Sequence, residues 1–522
     1  MLQKWNDKQK KFLGFTLALL MVLTAAIPSS MAHAATTKTY NFNTMTYQSA
    51  WGATYSISNG SATINFSGQY REIKFNLPET LDMSKCTSVT FNASSPNGQT
   101  AFKLYDTAGS QAAVNYNFKA GTSDVSFAPN TTAMVNSIGI MAQDTNSYSA
   151  VVNRVTFTMT DSTPVTGTLL STYGVELSHS GVAVNSNQLR DTQTLTTMKT
   201  QYNSITMENE MKPDSILGSS PKLISVSQAQ NSGYYIPSGY TESTVPSLNF
   251  GTVDSVLQIC YNNGLKLRAH TLVWHGQTPD WFFRTGYSSS GSYVSQAVMN
   301  ARMELYIKSF MNHVYTGNYG SVVYAWDVVN EYLHAGPSGW SSIYGSNLGT
   351  TPSYVKNAFQ YAHDTLSYFG LTDSVALFYN DYNEYEVTDN MIALVNFINS
   401  GTKLCTGIGM QSHLSTSYPS VTSYKAALQK FVNTGLEVQI TELDVGNSSD
   451  SAQASYVYDL FSAIFSVKKA GGNITGITWW GLYDSVSWRS SNKPLLFSSL
   501  NTPKASYNSV LKAYTDAGYT VH

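Results

Sequence analysis

The chain has 522 residues, only 12% of them charged, and a formal net charge of −2. A near-neutral balance without a basic tract argues against nucleic acid or an anionic membrane surface as partner. The length calls for two or three domains, and few charges beside abundant Tyr, Asn, Ser, Thr and Gly fit a secreted protein. In chain order, Lys4, Lys8, Lys10 and Lys11 precede an apolar run over 12–27 and a small-x-small site at Ala32-His33-Ala34. That pattern predicts a signal peptide over 1–34 and an extracellular mature chain with no membrane contact after cleavage; a retained N-terminal anchor is the alternative. From 37 to 160, short alternating runs such as ATINFSG, REIKFNL and NRVTFTMT, separated by Gly, Ser, Asn and Asp, predict an antiparallel β-sandwich. Residues 161–168 (DSTPVTGT) read as a polar linker.

From 169 to 520 the pattern changes to apolar runs alternating with amphipathic stretches. VELSHSGVAV, YNSITMEN, LKLRAHTLVW, VVYAWDVVNE, VALFYND, TGIGMQSH, EVQITELD and GITWWGLYD are eight strand candidates. VDSVLQICYNNG, VMNARMELYIKSFMNHV, VKNAFQYAHDTLSYFG and ASYVYDLFSAIFSVKKAGG are helical between them. This predicts an α/β (β/α)8 barrel following an all-β module, with its longest insertion over 214–249, either a cleft wall or a surface excursion. Cys86, Cys260 and Cys405 make no disulfide framework; buried thiols are expected, with a Cys260–Cys405 bridge as the alternative. No C-x-x-C, H-E-x-x-H, G-x-S-x-G or G-x-G-x-x-G spacing occurs, so no metal, serine-nucleophile or dinucleotide motif is read.

In such a barrel, functional side chains sit at the C-terminal strand ends. Those ends carry Glu208, Asn209 and Lys212; His270, Trp274, His275 and Gln277; Asn330 and Glu331; Asn380, Asp381, Tyr382 and Asn383; Gln411 and His413; Glu442 and Asp444; and Trp479, Trp480, Asp484, Trp488 and Arg489. Two carboxylates, Glu331 and Glu442, arriving from different strands on one face meet the need of glycoside hydrolysis for a proton donor and a nucleophile or base. Each glutamate alone also fits an ordinary strand end. Polar groups interleaved with tryptophans suit sugar hydroxyls and ring faces.

The ordered set YNSITMENEMK, LRAHTLVWHGQTPDWF, WDVVNE, FYNDYN, GIGMQSHL, QITELDV and ITWWGLYDSVSWR, followed by PLLF and PKASY, resembles glycoside hydrolase family 10, the endo-1,4-β-xylanases, over about 169–517. The resemblance implies xylan and xylo-oligosaccharides as substrate, a retaining mechanism and no cofactor. It makes Glu331 the acid/base, protonated until the glycosyl-enzyme forms, and Glu442 the nucleophile. It gives Asn330 the 2-hydroxyl contact and has His413 orient Glu442, with Asp444 either holding His413 or serving the fold. Glu208, Asn209 and Lys212 are then expected on glycone hydroxyls, with His270, Trp274, Gln277, Tyr382 and Gln411 lining the site. Trp480 and Trp488 become a platform and roof that tolerate xylose and clash with the hydroxymethyl arm of glucose. Trp479 is expected in the core, His275 in a supporting role, and Trp281 and Phe283 either in the core or as aglycone platforms. The position of the sandwich ahead of such a barrel makes it resemble a carbohydrate-binding module, related to family 22, with Trp51, Tyr70, Tyr105, Tyr116 and Tyr148 as stacking candidates. A surface-attachment role is its alternative.

Overall fold

The computed structural model describes residues 35–94, 98–118, 122–160, 167–447 and 449–522. The expected signal peptide, most of the expected linker (161–166) and the side chain of Tyr116 lie outside the described residues.

The N-terminal module is two antiparallel sheets. One runs Ala53–Ser58, Ser61–Phe66, Tyr148–Thr160, Cys86–Ser94, Thr122–Phe127, with Ala35–Tyr40 also on the Tyr148–Thr160 strand. The other runs Thr46–Trp51, Glu72–Asp82, Met134–Ala142, Thr100–Asp106, Gln111–Phe118. Period-two alternation fixes which face is buried: Ala62, Ile64 and Phe66 from one strand meet Val89, Phe91 and Ala93 from another in a shared core. Phe91 and Phe102 stack there at 4.3 Å. The first hairpin of that sheet closes on Asn59-Gly60, both left-handed (φ 50° and 80°), the conformation a two-residue hairpin loop requires. Trp51 is 62% exposed and Tyr70 55%, whereas Tyr105 and Tyr148 are buried. Arg71 lies over the Trp51 ring, 4.1 Å from its centre.

The second module closes eight parallel strands into a ring. They are β1 (His179–Val184), β2 (Ser204–Met207), β3 (Lys266–Trp274), β4 (Val323–Asn330), β5 (Ala376–Asp381), β6 (Gly407–Met410), β7 (Glu437–Gly446) and β8 (Ile474–Trp479). Each pairs with the next, and β8 pairs with β1. All eight expected strands are present, with one boundary corrected. The residues Val175, Glu176 and Leu177 end a short helix, Tyr173–Leu177, so β1 starts at His179. Amphipathic helices return the chain between strands, among them Gly251–Asn263, stopped by left-handed Gly264, and Ser353–Phe369, stopped by left-handed Gly370.

The insertion after β2 folds as a small hairpin (Leu223–Ser225 with Thr244–Pro246) and a short helix, Val226–Asn231. Glu242 pairs with Arg302, and the Tyr235 backbone N–H donates to Ser309 Oγ at 3.0 Å. Both partners lie on the helix Gln296–Thr316, so the insertion buttresses a helix. The three cysteines are free, with Cys260 and Cys405 buried.

The barrel interior holds a charge pair that the strand pattern does not announce. Arg268 on β3 and Asp327 on β4 are both fully buried and form an ion pair. The guanidinium also reaches Gln439 Oε1 on β7 at 2.8 Å. Burial opposes the Asp327 charge, but Arg268 and then His270 outweigh it and hold the carboxyl below its usual range. Removing one partner of a buried pair strands the other. Asp327→Ala is therefore expected to destabilise the barrel by about 3–5 kcal/mol. Calorimetry checks this, and a variant that melts with the wild type would contradict it.

Candidate active site

The strand ends place most of the expected residues around Glu331 and Glu442. Glu331 follows β4 in a left-handed conformation (φ 58°), while its N–H still bonds Asn380 O at 2.8 Å. That turn swings the carboxylate away from the strand line, at a backbone cost of order 1–3 kcal/mol. Trp274 Nε1 donates to Glu331 Oε2 at 2.7 Å and Gln411 Nε2 to Oε1 at 2.8 Å. Trp274 is itself fixed: its carbonyl accepts from Trp340 Nε1 (3.1 Å) and Thr278 Oγ1 (2.6 Å). The indole also lies so near Gly276 that an added Cβ would sit 2.9 Å from it.

Glu442, near the end of β7, is only 5% exposed. Asn380 Nδ2 donates to its Oε1 at 2.9 Å, and His413 Nε2 lies 3.3 Å from Oε2. Burial pushes the Glu442 pKa up, but the His413 hydrogen bond and the charges of His270, His413 and Lys212 outweigh it, and the net pKa is lowered. His413 in turn places Nδ1 2.9 Å from Asp444 Oδ2. Burial disfavours the imidazolium, yet Asp444 first and Glu442 second lift its pKa to about 10. Both ring nitrogens therefore carry protons at neutral pH. Asp444 thus holds His413, and it also accepts from Trp488 Nε1 at 2.9 Å and pairs with Arg489.

The two glutamates share one hydrogen-bonded network. Asn380 Nδ2 donates to Asn330 Oδ1 (2.8 Å) as well as to Glu442, and Gln411 Nε2 reaches Asn330 Oδ1 (3.2 Å) as well as Glu331. Thr441 Oγ1 donates to Asn380 Oδ1 at 2.6 Å, which sets the orientation of that amide.

A second group gathers beside Trp274. Lys212 Nζ sits 4.9 Å from the indole centre and 3.3 Å from Asn209 Oδ1. Gln277 Nε2 donates to Asn209 Oδ1 (3.3 Å) and Asp214 Oδ2 (3.2 Å). Burial lowers the Lys212 pKa against the pull of Glu442 and Glu331, whereas burial and then Glu210 raise that of Glu208. Buried His270 turns Nδ1 to Asp327 (3.0 Å), with Nε2 4.0 Å from Glu442 Oε1. Its ring meets Trp480 edge-on at 5.6 Å. Trp480 is 9% exposed and Trp488 67%, so one indole is packed into the floor while the other stands in solvent, tethered by Asp444. Tyr382 is half-buried and stacks on His334 at 4.2 Å.

Some expectations resolve as packing. Trp479 is buried and stacks parallel to Phe461 at 6.1 Å. Trp281 and Phe283 are buried members of the barrel core, which excludes them as aglycone platforms. Half-buried His275 leaves Nδ1 without a hydrogen bond among the described residues. Asn380 was expected at a strand end but without its bridging role, and Asp327, Arg268 and Trp340 were not anticipated in the site, although an Arg and an Asp inside the apolar runs of LKLRAH and AWDVV were a usable signal of a buried pair. Among the described residues no group of three or more His, Cys, Asp or Glu side chains is arranged to hold a metal ion.

The sequence profile described as Glycosyl hydrolase family 10 matches residues 169–513. An endo-1,4-beta-xylanase A of Butyrivibrio fibrisolvens is 51% identical over 349 residues, 67% of this chain and 85% of that protein. A bifunctional endo-1,4-beta-xylanase XylA of Ruminococcus flavefaciens is 41% identical over 329 residues, 60% of this chain but only 31% of that longer protein. Among solved structures, the CBM22-1–GH10 modules of a Clostridium thermocellum endo-1,4-beta-D-xylanase, complexed with xylohexaose, match 93% of this chain and 97% of that one. The match has a TM-score of 0.57 and 27% identity. With a sandwich ahead of a barrel whose strand ends carry this network, and a profile match across the whole barrel, the chain belongs to glycosyl hydrolase family 10.

Proposed function

We propose that the chain is a secreted endo-1,4-β-xylanase that cleaves internal bonds of xylan with retention, its sandwich serving as a carbohydrate-binding module. The observation that carries the reading is the shared network, in which Asn380 and Gln411 both donate to Asn330 while Asn380 also binds Glu442 and Gln411 also binds Glu331. The similarity to xylanases of other organisms supports the substrate class, and the basic, apolar, small-x-small leader supports secretion.

In this reading, ionised Glu442 attacks the anomeric carbon while Glu331 gives its proton to the departing glycosidic oxygen. The C–O bond breaks, the aglycone leaves as an alcohol, and the sugar remains as an ester on Glu442. Glu331, now a carboxylate, takes a proton from water, whose oxygen displaces Glu442 and regenerates the starting state. His413 spreads positive charge over Glu442 from a nitrogen that Asp444 orients, and Trp274 and Gln411 fix the direction of Glu331. Asn330, its amide oxygen already accepting from Asn380 and Gln411, has no partner for its N–H groups among the described residues, and they can be turned toward a sugar hydroxyl.

Proton NMR during cleavage of a soluble xylo-oligosaccharide should show the β-anomer first; an α-anomer first would remove Glu442 from the nucleophile's role. Glu331→Ala should cripple xylan cleavage, by about 10²–10⁴-fold, yet spare glycosylation by aryl xylobiosides whose leaving groups need no proton. Glu442→Ala should abolish both, and uniform damage from Glu331→Ala across leaving groups would contradict the assignment. The pH dependence has a definite sign. A depressed Glu442 pKa gives stability and activity that hold above the ordinary carboxyl range and are lost as pH falls through the folded value. His413→Gln removes the foremost lowering influence, so the acid limb of kcat/KM should move to higher pH. A limb that stays in place would show that His413 does not set the charge of Glu442.

A further inference from the structure

One buried carboxyl beside the site has no part in the chemistry above. Glu384, in the loop after β5, is fully buried. Its Oε1 accepts from Ser412 Oγ at 2.7 Å, while Oε2 is buried with no hydrogen-bond partner among the described residues. Ser412 Oγ also lies 2.7 Å from Tyr424 OH. Since serine has one hydroxyl proton, a bond to Glu384 requires Tyr424 to donate its own to Ser412. Ser412 is itself fully buried and left-handed (φ 62°), a conformation a non-glycine residue keeps only when its surroundings hold it. It stands between Gln411, which donates to Glu331, and His413, which faces Glu442.

We propose that Glu384 is a positioning residue for the glycosidic reaction: its carboxyl clamps Ser412 and so fixes the directions from which Gln411 and His413 meet Glu331 and Glu442. The inference rests on the reading of those two glutamates as the reacting pair. Burial favours the neutral form of the clamp. Burial lifts the Glu384 pKa to about 7, against the Ser412 hydroxyl, the backbone N–H groups of Glu384 and Ser412, and last the His413 charge. The ionisable groups facing it are Tyr385 on its own loop, His413 beyond β6, Tyr424 on the helix Val421–Val432 and Tyr456 on the helix Asp450–Lys469. The three phenols are held protonated, by burial first and Glu384 next, and His413 is the cation of the set. Ionisation places a charge in a dry site where Oε2 has no hydrogen-bond partner among the described residues, and local opening at Ser412 relieves it. Because the folded pKa is raised, the stabilisation is complete below pH 4.5 and is lost as pH rises through about 7.

The test compares Glu384→Gln and Glu384→Leu in the full chain. Glutamine keeps the volume and the acceptor but does not ionise; leucine keeps volume alone. Loss of the clamp in Glu384→Leu should lower kcat about tenfold with KM changed less than about twofold. Glutamine should recover most of that loss below pH 7, and its alkaline limb of kcat/KM should lie above that of the wild type. An alkaline limb coincident with the wild type, or a leucine variant with full kcat, would overturn the proposal. A second readout needs no cleavage. The His413 ring resonances of the wild type should pass through a transition near pH 7 that is missing in Glu384→Gln. Its absence from the wild type would sink the clamp whatever the fate of the catalytic reading. If the leucine variant does not fold, the glutamine limb and the NMR transition decide.

Discussion

Glu442 carries a negative charge in a place that is almost dry, and much of the barrel's polar interior follows from that constraint. A carboxylate so buried ionises only if donors and cations replace the water it has lost. Asn380 supplies one hydrogen bond and His413 the other. The histidine supplies charge because Asp444 keeps it protonated, and Asp444 is itself neutralised by Arg489 and capped by the Trp488 indole. The chain of alternating charges thus ends at an exposed tryptophan on the rim.

A parallel chain runs down the barrel axis. His270 faces Glu442 with one nitrogen and Asp327 with the other, and Asp327 is held by Arg268, which reaches across to Gln439. The floor of the site and the structural charge pair are therefore one connected object. A polar barrel interior of this kind contributes less to stability than apolar packing does. It gives direction, because every member has few orientations in which all its hydrogen bonds are met.

The sequence was informative where chemistry and periodicity coincide. Eight apolar runs, each ending in polar residues, were enough to read the barrel, and the ends of β4 and β7 were enough to bring Glu331 and Glu442 together. It was uninformative where a residue's role depends on what stands opposite. The sequence left Trp281 and Phe283 open between core and platform, and only the structure places both in the core. What settles it is packing partners such as Trp340, 5.0 Å from Phe283, on the short helix Gly339–Tyr344. Asn380 was visible as a strand end, but its role as a bridge needs Asn330, Thr441 and Glu442 in three dimensions. At β1 the apolar Val-Glu-Leu run satisfied a strand pattern and folded as a helical turn, because a short apolar run does not distinguish the two.

Backbone strain shows where the fold gives way to function. Of the ten non-glycine residues in left-handed conformation among the described residues, four, Gln277, Glu331, Asn383 and Ser412, fall in the loops just beyond β3, β4, β5 and β6. Each turns the chain sharply at the point where a parallel strand would otherwise carry its side chain past the mouth. Glycine would adopt these conformations without steric penalty, but it would bring no carboxylate, amide or hydroxyl. At Glu331, Gln277 and Ser412 the side chain and the turn come from the same residue, so the strain, of order 1–3 kcal/mol each, is borne by the ladders and packed helices beneath. On the proposals above, a group such as Glu384, which touches neither glutamate, bears on the chemistry, because the precision of Glu331 and Glu442 is limited by how firmly the strained turns behind them are held.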